Sequence, residues 1–372
     1  GSFEYTVDNT DLNTNLTRNS GSVTQVSGMA SVGTGITTDS TALFESKQHG
    51  RYRAGLGGVS RFTALYGTPT AGTEQYVGLA DATSTTGTFV NGYMVGYAGT
   101  TFGFHRWQNT ATITVAQADW DDPLDGSGNS GMTIDQTMLN IFYIQYQYLG
   151  AGAIRLFVED DDTGMPVLVH TIDYANKNTE PSVHNPNFHH MMFVSNLGTT
   201  SDISVRSSSY MYGVEGKTKF IEIHQPSNST GLRQITGVTT EVALFTIRNR
   251  AAFAGKTNFI DILLKHMSAS TQANAANARG SARLVKNATL GGTPDYNKIS
   301  TDTSVVEIDV AGTTVTDGRN IIPISLAGRD AAGSEFLGSL EIIINPGETV
   351  TFAVQSSNSS TMEGELLWRE LW

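Results

Sequence analysis

The stretch FYIQYQYLGAGAIRLFVEDDDTGMPVLVHTI, residues 142–172, alternates apolar and polar side chains in three successive runs. Ile144, Tyr146 and Tyr148 share one face of the first run, and this period of two is typical of a half-buried strand. A Gly-Ala-Gly turn ends that run, and four acids beginning at Glu159 end the second. We therefore predict a three-strand antiparallel meander whose acids form a solvated hairpin tip.

Runs with this period recur along the whole chain, separated by Gly, Asn, Asp and Ser, and helical periodicity is nearly absent. The one helical candidate is short and lies at 133–139. Charged residues make up 16% of the chain, below the roughly 25% of typical soluble domains, while Gly is abundant. These features predict an all-β protein that consists of two antiparallel β-sandwich domains.

A polar, turn-rich stretch separates two groups of strand-like runs. We predict a β-sandwich at 1–215, a linker at 216–240 and a smaller sandwich of jelly-roll or immunoglobulin-like type at 241–372. Nearly all of the net charge of −12 belongs to the first domain. This acidity makes nucleic acid a poor partner. No apolar run approaches the roughly 18 residues that membrane insertion requires.

Several classes of chemistry are excluded by missing residues or motifs. The chain has no cysteine, which excludes disulfides, thiol catalysis and zinc–thiolate sites. It also lacks a phosphate-binding glycine loop and a serine-hydrolase elbow. A retaining glycosidase needs two carboxylates roughly 5 Å apart. Glu159 and Asp161 share a strand face, but the third acid of an E-x-D-x-x-E pattern is missing. We predict no catalytic residue.

The loop QADWDDPLDGSGNSG, residues 117–131, is the candidate metal site. Its carboxylates and glycines are typical of calcium loops, although it does not fit the EF-hand spacing. The candidate calcium ligands are Asp119, Asp121, Asp122 and Asp125. A solvated surface loop is the competing interpretation, and we weigh it more heavily. We therefore expect no cofactor, with calcium left open.

A histidine cluster at 184–190 is a further candidate for a metal site. His189 and His190 are adjacent, so in a strand they point to opposite faces and cannot both bind one ion. We predict that one of them is a core or rim residue and that the other is solvated.

Aromatic side chains are concentrated in NGYMVGYAGTTFGFHRWQ, residues 91–108. Sugar-binding sandwiches expose aromatic rings on a concave sheet or in end loops. The candidate glycan-binding residues are Tyr93, Tyr97, Phe104 and Trp107. Burial of these rings in the core is the competing interpretation.

Two parts of the chain carry a resemblance to a known family. LFESKQHGRYRAGLGGVSRFTALYG (43–67) and the meander at 142–172 resemble the concanavalin A-like jelly-roll domain in structural proteins of tailed-phage and similar virus particles. RLVKNATLGGTPDY (283–296) and LEIIINPGETVTFAV (340–354) are similar to the β-sandwich that often follows it. These motifs specify strands and turns and carry no chemistry.

The resemblance implies a non-enzymatic protein of the virion surface, such as a capsid spike, a head fibre or a tail-associated component. Such a protein would act by self-assembly, with a trimer favoured, by contact with other virion proteins, and by attachment to a host-surface glycan. The alternative is a carbohydrate-binding module or polysaccharide-degrading enzyme of the jelly-roll type, which would use the 119–125 loop, Glu159 and the aromatic segment. A bacterial surface adhesin is the third hypothesis.

Overall fold

A computed structural model describes residues 1–10, 12–82, 88–216, 227–273, 278–327 and 330–372. The chain divides into two compact units, Gly1–Thr218 (unit 1) and Lys219–Trp372 (unit 2). The strand pairs in both units are antiparallel, which confirms the predicted all-β class. No helix among the described residues has the length and apolar content needed to cross a membrane.

The helix predicted at 133–139 is wrong. This segment forms a turn, in which the Met138 N–H donates to the Asp135 carbonyl over 3.1 Å. The Asp135 side chain also accepts hydrogen bonds from Thr137, an arrangement that favours a turn over a helix. A short 3-10 helix lies instead at Gln117–Asp119.

The strands described in unit 1 are β1 (Asn13–Arg18), β2 (Ser22–Val26), β3 (Met29–Gly33), β4 (Thr41–Gly50), β5 (Gly57–Tyr66), β6 (Glu74–Ala82), β7 (Phe89–Ala98), β8 (Thr101–Gln108), β9 (Ala111–Ala116), β10 (Asn140–Gln147), β11 (Ile154–Glu159), β12 (Pro166–Ile172), β13 (Phe188–Ser195), β14 (Ser204–Ser207) and β15 (Tyr210–Glu215). Sheet A has the order β1-β4-β13-β6-β7-β8-β9. Sheet B has the order β12-β11-β10-β5-β14-β3-β2, with β15 also paired to β5. This pair of sheets is the concanavalin A-like jelly-roll arrangement that the resemblance implied.

The predicted meander is confirmed as β10, β11 and β12. Ile144 pairs with Leu156 and Tyr146 with Ile154, and all four side chains are buried. The apolar face of this meander packs with the inward face of sheet A to form the main core. Sheet A is unusual because its outward face also carries buried apolar side chains. These side chains form a second cluster, the outer cluster.

The strands described in unit 2 are β16 (Ser227–Ser229), β17 (Arg233–Val238), β18 (Val242–Asn249), β19 (Ala252–Phe253), β20 (Lys256–Thr257), β21 (Asp261–Ala273), β22 (Arg279–Lys286), β23 (Thr289–Gly292), β24 (Asn297–Lys298), β25 (Val306–Asp309), β26 (Gly312–Thr316), β27 (Arg319–Ala327), β28 (Ala332–Phe336), β29 (Ile343–Ile344), β30 (Thr349–Ser356) and β31 (Ser360–Leu371). One sheet has the order β16-β31-β21-β28, with β17 beside β31 and β29 beside β21, and the other has the order β24-β25-β18-β30-β22-β27. Their facing sides bury a separate core around Phe352 and Trp368.

The linker predicted at 216–240 needs correction at its C-terminal end. Within it, β16 and β17 both pair with β31 and therefore belong to a sheet of unit 2. Polar residues such as Ser227 and Gln234 are compatible with these strands because they lie at a sheet edge where solvent is accessible. Residues 217–226 of the predicted linker lie outside the described part of the chain.

Candidate functional site

The four aromatic residues predicted to bind a glycan are buried. Tyr93, Tyr97 and Phe104 belong to the main core between the sheets, and Trp107 belongs to the outer cluster on sheet A. The largest exposed fraction among them is 7%, at Tyr97. A ring must present a face to solvent before a sugar can stack on it, so the prediction is corrected for these residues. Alternation along a strand predicts which face a residue occupies but not whether that face is covered.

The outward face of sheet A is filled by the outer cluster. Paired residues of neighbouring strands form two rows across this face. The first row consists of Glu45, Met191, Gly78, Met94, His105 and Thr114, and the adjacent row consists of Leu43, Phe193, Tyr76, Gly96 and Gly103. The Tyr76 ring lies 4.8 Å from that of His105 and 5.2 Å from that of Trp107. His105 Nε2 lies 3.0 Å from the Gly96 carbonyl oxygen.

Burial keeps His105 uncharged. Desolvation lowers the pKa of its imidazole to about 4, against which its hydrogen bond to the Gly96 carbonyl acts weakly. Its Nδ1 lies 2.9 Å from Thr114 Oγ1, so both ring nitrogens have partners. His105 therefore supports the packing of the outer cluster.

One carboxyl group on this face has an unusual proton affinity. Burial raises the pKa of Glu45 to about 7, and the nearby charge of Asp81 adds to this shift. Glu45 Oε1 lies 3.4 Å from His189 Nε2, and His189 Nδ1 lies 2.5 Å from the Ser46 carbonyl oxygen. Because a carbonyl oxygen only accepts, His189 Nδ1 carries a proton, and Nε2 is the ring nitrogen that faces Glu45.

Asp81 has a different environment, although burial also raises its pKa, to about 6. Its Oδ1 accepts the backbone N–H groups of Val90 and Asn91, over 3.1 and 2.5 Å, and its Oδ2 accepts the Asn91 side-chain amide over 2.8 Å. Both oxygens are thus occupied by residues at the start of β7, which Asp81 ties to the end of β6. This role is structural.

The histidine prediction holds in part. His190 lies on the inward face of β13 and is buried, and His189 contacts Glu45 on the outward side. Adjacent histidines therefore do point to opposite faces of the strand. His189, however, is not solvated, because only 16% of its side chain is exposed.

The predicted calcium ligands have separate roles. Asp119 is exposed in the 3-10 helix, while Asp121 Oδ2 accepts the Thr171 N–H over 2.9 Å. Asp122 Oδ2 accepts the Ser130 N–H over 2.7 Å, and Asp125 accepts both the N–H and the hydroxyl of Ser127. Within the described ranges, no three or more acidic or histidine side chains converge as a metal ion would require. Asp122 and Asp125 fix turns within the loop, and Asp121 connects the loop to β12.

The acidic tip at 159–162 is a hairpin turn between β11 and β12, as predicted. Asp160 Oδ1 accepts the Asp162 N–H over 3.1 Å and the Thr163 N–H over 2.7 Å. Glu159 Oε2 accepts Arg61 Nη2 over 2.6 Å and the Tyr143 hydroxyl over 2.8 Å. These acids are engaged in local contacts and do not face each other across a cleft.

A cavity of about 620 Å³ opens in unit 1 beside the N-terminal segment. Strands β4, β13 and β15 contribute its other walls. Its volume is within the range of roughly 300–1,000 Å³ that is usual for ligand pockets. The aromatic and histidine lining consists of Phe3, Tyr5, His49, Phe188, His190, Tyr210 and Tyr212, and the polar lining includes Glu4, Asn9, Asn13, Ser46 and Gln48.

The rings of the cavity wall are held by contacts with the core. Tyr210 stacks on His190 with centroids 4.1 Å apart and an interplanar angle of 7°. The Tyr212 and Tyr146 hydroxyl oxygens lie 2.7 Å apart, and the Tyr212 ring lies directly over Gly50, where a side chain would collide with it. At the mouth, Tyr5 is 94% exposed. The cavity thus combines a fixed aromatic wall with one exposed ring.

A second, shallower cavity of about 450 Å³ brings together two residues from the sequence prediction. Tyr97 and Asp125 both line it, together with Gln117 and Gln136. The two glutamines bond to each other over 2.8 Å. Little of Tyr97 faces this space because its ring packs 5.9 Å from Tyr66 and 4.9 Å from Phe102.

The sequence analysis missed the larger cavity. Its walls come from positions about 200 residues apart, such as Phe3 and Tyr210, whose ring centroids lie 5.9 Å apart. No local period or motif marks such residues. The one available signal was the pair of alternate tyrosines in YMYGVE, residues 210–215, at the end of the predicted first domain.

No protein-family model and no curated protein matches this sequence. The chain is similar in structure to a glycoside hydrolase family protein from Mycobacterium thermorestibile, at 10% identity and a TM-score of 0.39, over 57% of this chain and 98% of the other. Lectin UEA-II complexed with galactose is similar at 12% identity and a TM-score of 0.38, over 58% and 98%. A legume lectin-like domain from Entamoeba histolytica is similar at 11% identity and a TM-score of 0.34, over 55% and 90%. Identities and TM-scores this low support no functional conclusion for this chain.

Proposed function

We propose that this chain is a non-enzymatic surface protein that binds a glycan, and that it does so on a virus particle during attachment to a host. The observation that supports binding is the cavity in unit 1, which joins aromatic rings with polar side chains. The virus setting rests on the resemblance of 43–67 and 142–172 to virion jelly-roll domains. The virus setting distinguishes this proposal from the alternative of a bacterial surface adhesin.

The arrangement of acids favours binding over hydrolysis. Glycoside hydrolysis needs two carboxyl groups on opposite sides of the scissile bond. On the outward face of sheet A, Glu45 faces His189, both oxygens of Asp81 accept hydrogen bonds, and large rings fill the neighbouring space. On sheet B, Glu159 is bound by Arg61 and Tyr143. Glu45, Asp81 and Glu159 therefore do not form a pair that faces a cleft in the manner that this chemistry requires.

A glycan array tests the proposal. The parent chain, labelled through an amine, is applied to neutral, sialylated and sulfated oligosaccharides, and any hit is titrated in solution. We expect saturable binding to a restricted set of glycans, with no change in glycan length after prolonged incubation. An array without a hit would contradict the proposal, and shortening of the bound glycan would replace it with the enzymatic alternative.

Hydrolysis is retained as a second candidate because of Glu45. A buried carboxyl group with a pKa of about 7 is protonated near neutral pH, as a general acid must be. If the chain cleaves a glycan, Glu45→Gln is expected to abolish cleavage while it preserves binding. Cleavage that persists in this variant would exclude Glu45 as the acid.

Self-assembly is also part of the proposal, with a trimer favoured by analogy with the spikes and fibres that the resemblance implies. Light scattering on the purified chain measures its mass directly. A mass three times that of the 39.9 kDa chain is expected, and a monomer at all concentrations would contradict this part alone.

A further inference from the structure

We propose that the cavity beside the N-terminal segment binds a neutral sugar ring, with His190 as the hydrogen-bonding group at its base and Tyr5 as the stacking ring at its mouth. This inference rests on the proposed glycan-binding function and assigns the site and the class of ligand. The two residues belong to regions of the chain that the sequence analysis did not connect.

The first observation is an unpaired buried imidazole. His190 is only 2% exposed, lines the cavity, and has no hydrogen-bond partner among the described residues at either ring nitrogen. Its backbone N–H, in contrast, donates to Ser46 Oγ over 3.0 Å. Buried polar atoms are rarely left unpaired, because each one loses its hydrogen bonds to water on folding. A ligand in the cavity would restore them.

The second observation concerns the charge of this imidazole. Burial lowers the pKa of His190 to about 3, so the ring is neutral under ordinary conditions. A neutral imidazole offers one N–H donor and one lone pair. That combination matches a sugar hydroxyl, which both donates and accepts, and it gives no particular advantage to a carboxylate or a phosphate.

The orientation of the ring is fixed in advance. Tyr210 stacks on it at 4.1 Å, and Phe62 lies 5.6 Å away with an interplanar angle of 52°. These contacts restrain the imidazole, so little side-chain entropy would be lost when a ligand bonds to its edge. The site is preorganised at its base.

The mouth of the cavity supplies an apolar surface. Tyr5 is 94% exposed, Leu12 is 52% exposed and Met211 is 47% exposed, and all three line the opening. Tyr5 has almost no contact area with the protein, so its position at a cavity mouth is suited to contact with the apolar face of a sugar ring. Among the described residues of this lining, Glu4 is the one with an acidic side chain, and none is Lys or Arg. The Gly1 amino group also lines the cavity, where it donates to the Tyr210 carbonyl oxygen. The described lining thus carries one charge of each sign and no net charge, which suits an uncharged ligand.

The test uses neutral hexose and N-acetylhexosamine oligosaccharides, first on an array and then in solution. We compare the parent with Tyr5→Ala and His190→Phe. The second change retains a flat ring beside Tyr210, slightly larger than imidazole, and removes both nitrogens. Phe336→Ala is the matched control because this aromatic residue of unit 2 is also highly exposed, at 70%. We expect each cavity variant to weaken binding about tenfold or more, and the control to bind as the parent does.

A spectroscopic readout separates ligand contact from an effect on folding. In protein labelled with ¹⁵N-histidine, the His190 ring signals are those missing from His190→Phe. We expect them to shift when the bound oligosaccharide is added to the parent. Binding that neither cavity variant weakens, with unmoved His190 signals, would overturn this site while the proposed function stands. A parent chain that binds no glycan would overturn the proposed function itself.

Discussion

Replacing His190 with Phe should change the way in which stability depends on pH. The imidazole is buried between Tyr210 and Phe62, and burial lowers its pKa to about 3. In the unfolded chain, a histidine titrates near its ordinary pKa of about 6.5. Between these two values the unfolded state binds a proton that the folded state does not bind. The parent therefore loses stability as the pH falls, and the variant lacks this contribution.

The magnitude follows from the two pKa values. Each pH unit below about 6.5 costs the parent about 1.4 kcal/mol through this residue. At pH 4.5 the accumulated loss is about 2.7 kcal/mol. The stability of His190→Phe relative to the parent should therefore increase by about that amount between pH 7 and pH 4.5. At pH 7 the variant should be at least as stable as the parent, because it removes two unpaired buried nitrogens.

Urea unfolding of both proteins in the same series of buffers measures this difference. The comparison cancels the contributions of all other titrating groups that the substitution leaves unchanged. A relative stability that is equal at pH 7 and pH 4.5 would refute the argument, because it would mean that folded His190 takes up a proton as readily as the unfolded residue does. A variant much less stable than the parent at pH 7 would mean either that the nitrogens have partners or that the larger Phe ring does not fit this site.

Three further changes test other parts of the account. Glu45→Gln should have the opposite dependence on pH, because burial raises the pKa of Glu45 to about 7. Above pH 7 the variant should be more stable than the parent by about 3 kcal/mol, and it should lose this advantage as the pH falls to 4.5. Parallel urea titrations measure this difference. Trp107→Ala should destabilise unit 1 by about 3–5 kcal/mol, since its ring packs 5.2 Å from both Tyr76 and Phe89; a loss under about 1 kcal/mol in urea unfolding would mean that the outer cluster is loosely packed. EDTA should leave the thermal unfolding midpoint unchanged, because Asp121, Asp122 and Asp125 accept hydrogen bonds from separate backbone groups. A midpoint lowered by EDTA and restored by calcium would return this loop to consideration as a metal site.

The sequence predicted strands better than it predicted surfaces. Alternation in 142–172 placed β10 to β12 correctly because a period of two directly reflects which side chains face a core. The same alternation could not show that Trp107 is buried on the outward face of sheet A. That burial depends on rings from β6, β7 and β13, which are distant in sequence. Predicting exposure would have required the sheet order.

The candidate site depended even more on distant contacts. Glu45 and His189 are 144 positions apart, and Tyr5 and His190 are 185 apart, so no local motif links either pair. The turn at 159–162, by contrast, was predictable because Asp and Thr side chains bond to their own neighbouring backbone. Local polar contacts could therefore be predicted from the sequence, whereas contacts between residues that only the sheet topology brings together could not.

The most direct test of glycan binding without hydrolysis is incubation of the parent chain with the neutral oligosaccharides that it retains on an array, followed by chromatography of the free and bound sugar. We expect saturable retention of intact oligosaccharides whose length distribution is unchanged. Shorter products would contradict the claim that the chain binds without hydrolysis, and the absence of any retained glycan would contradict the claim that it binds sugars.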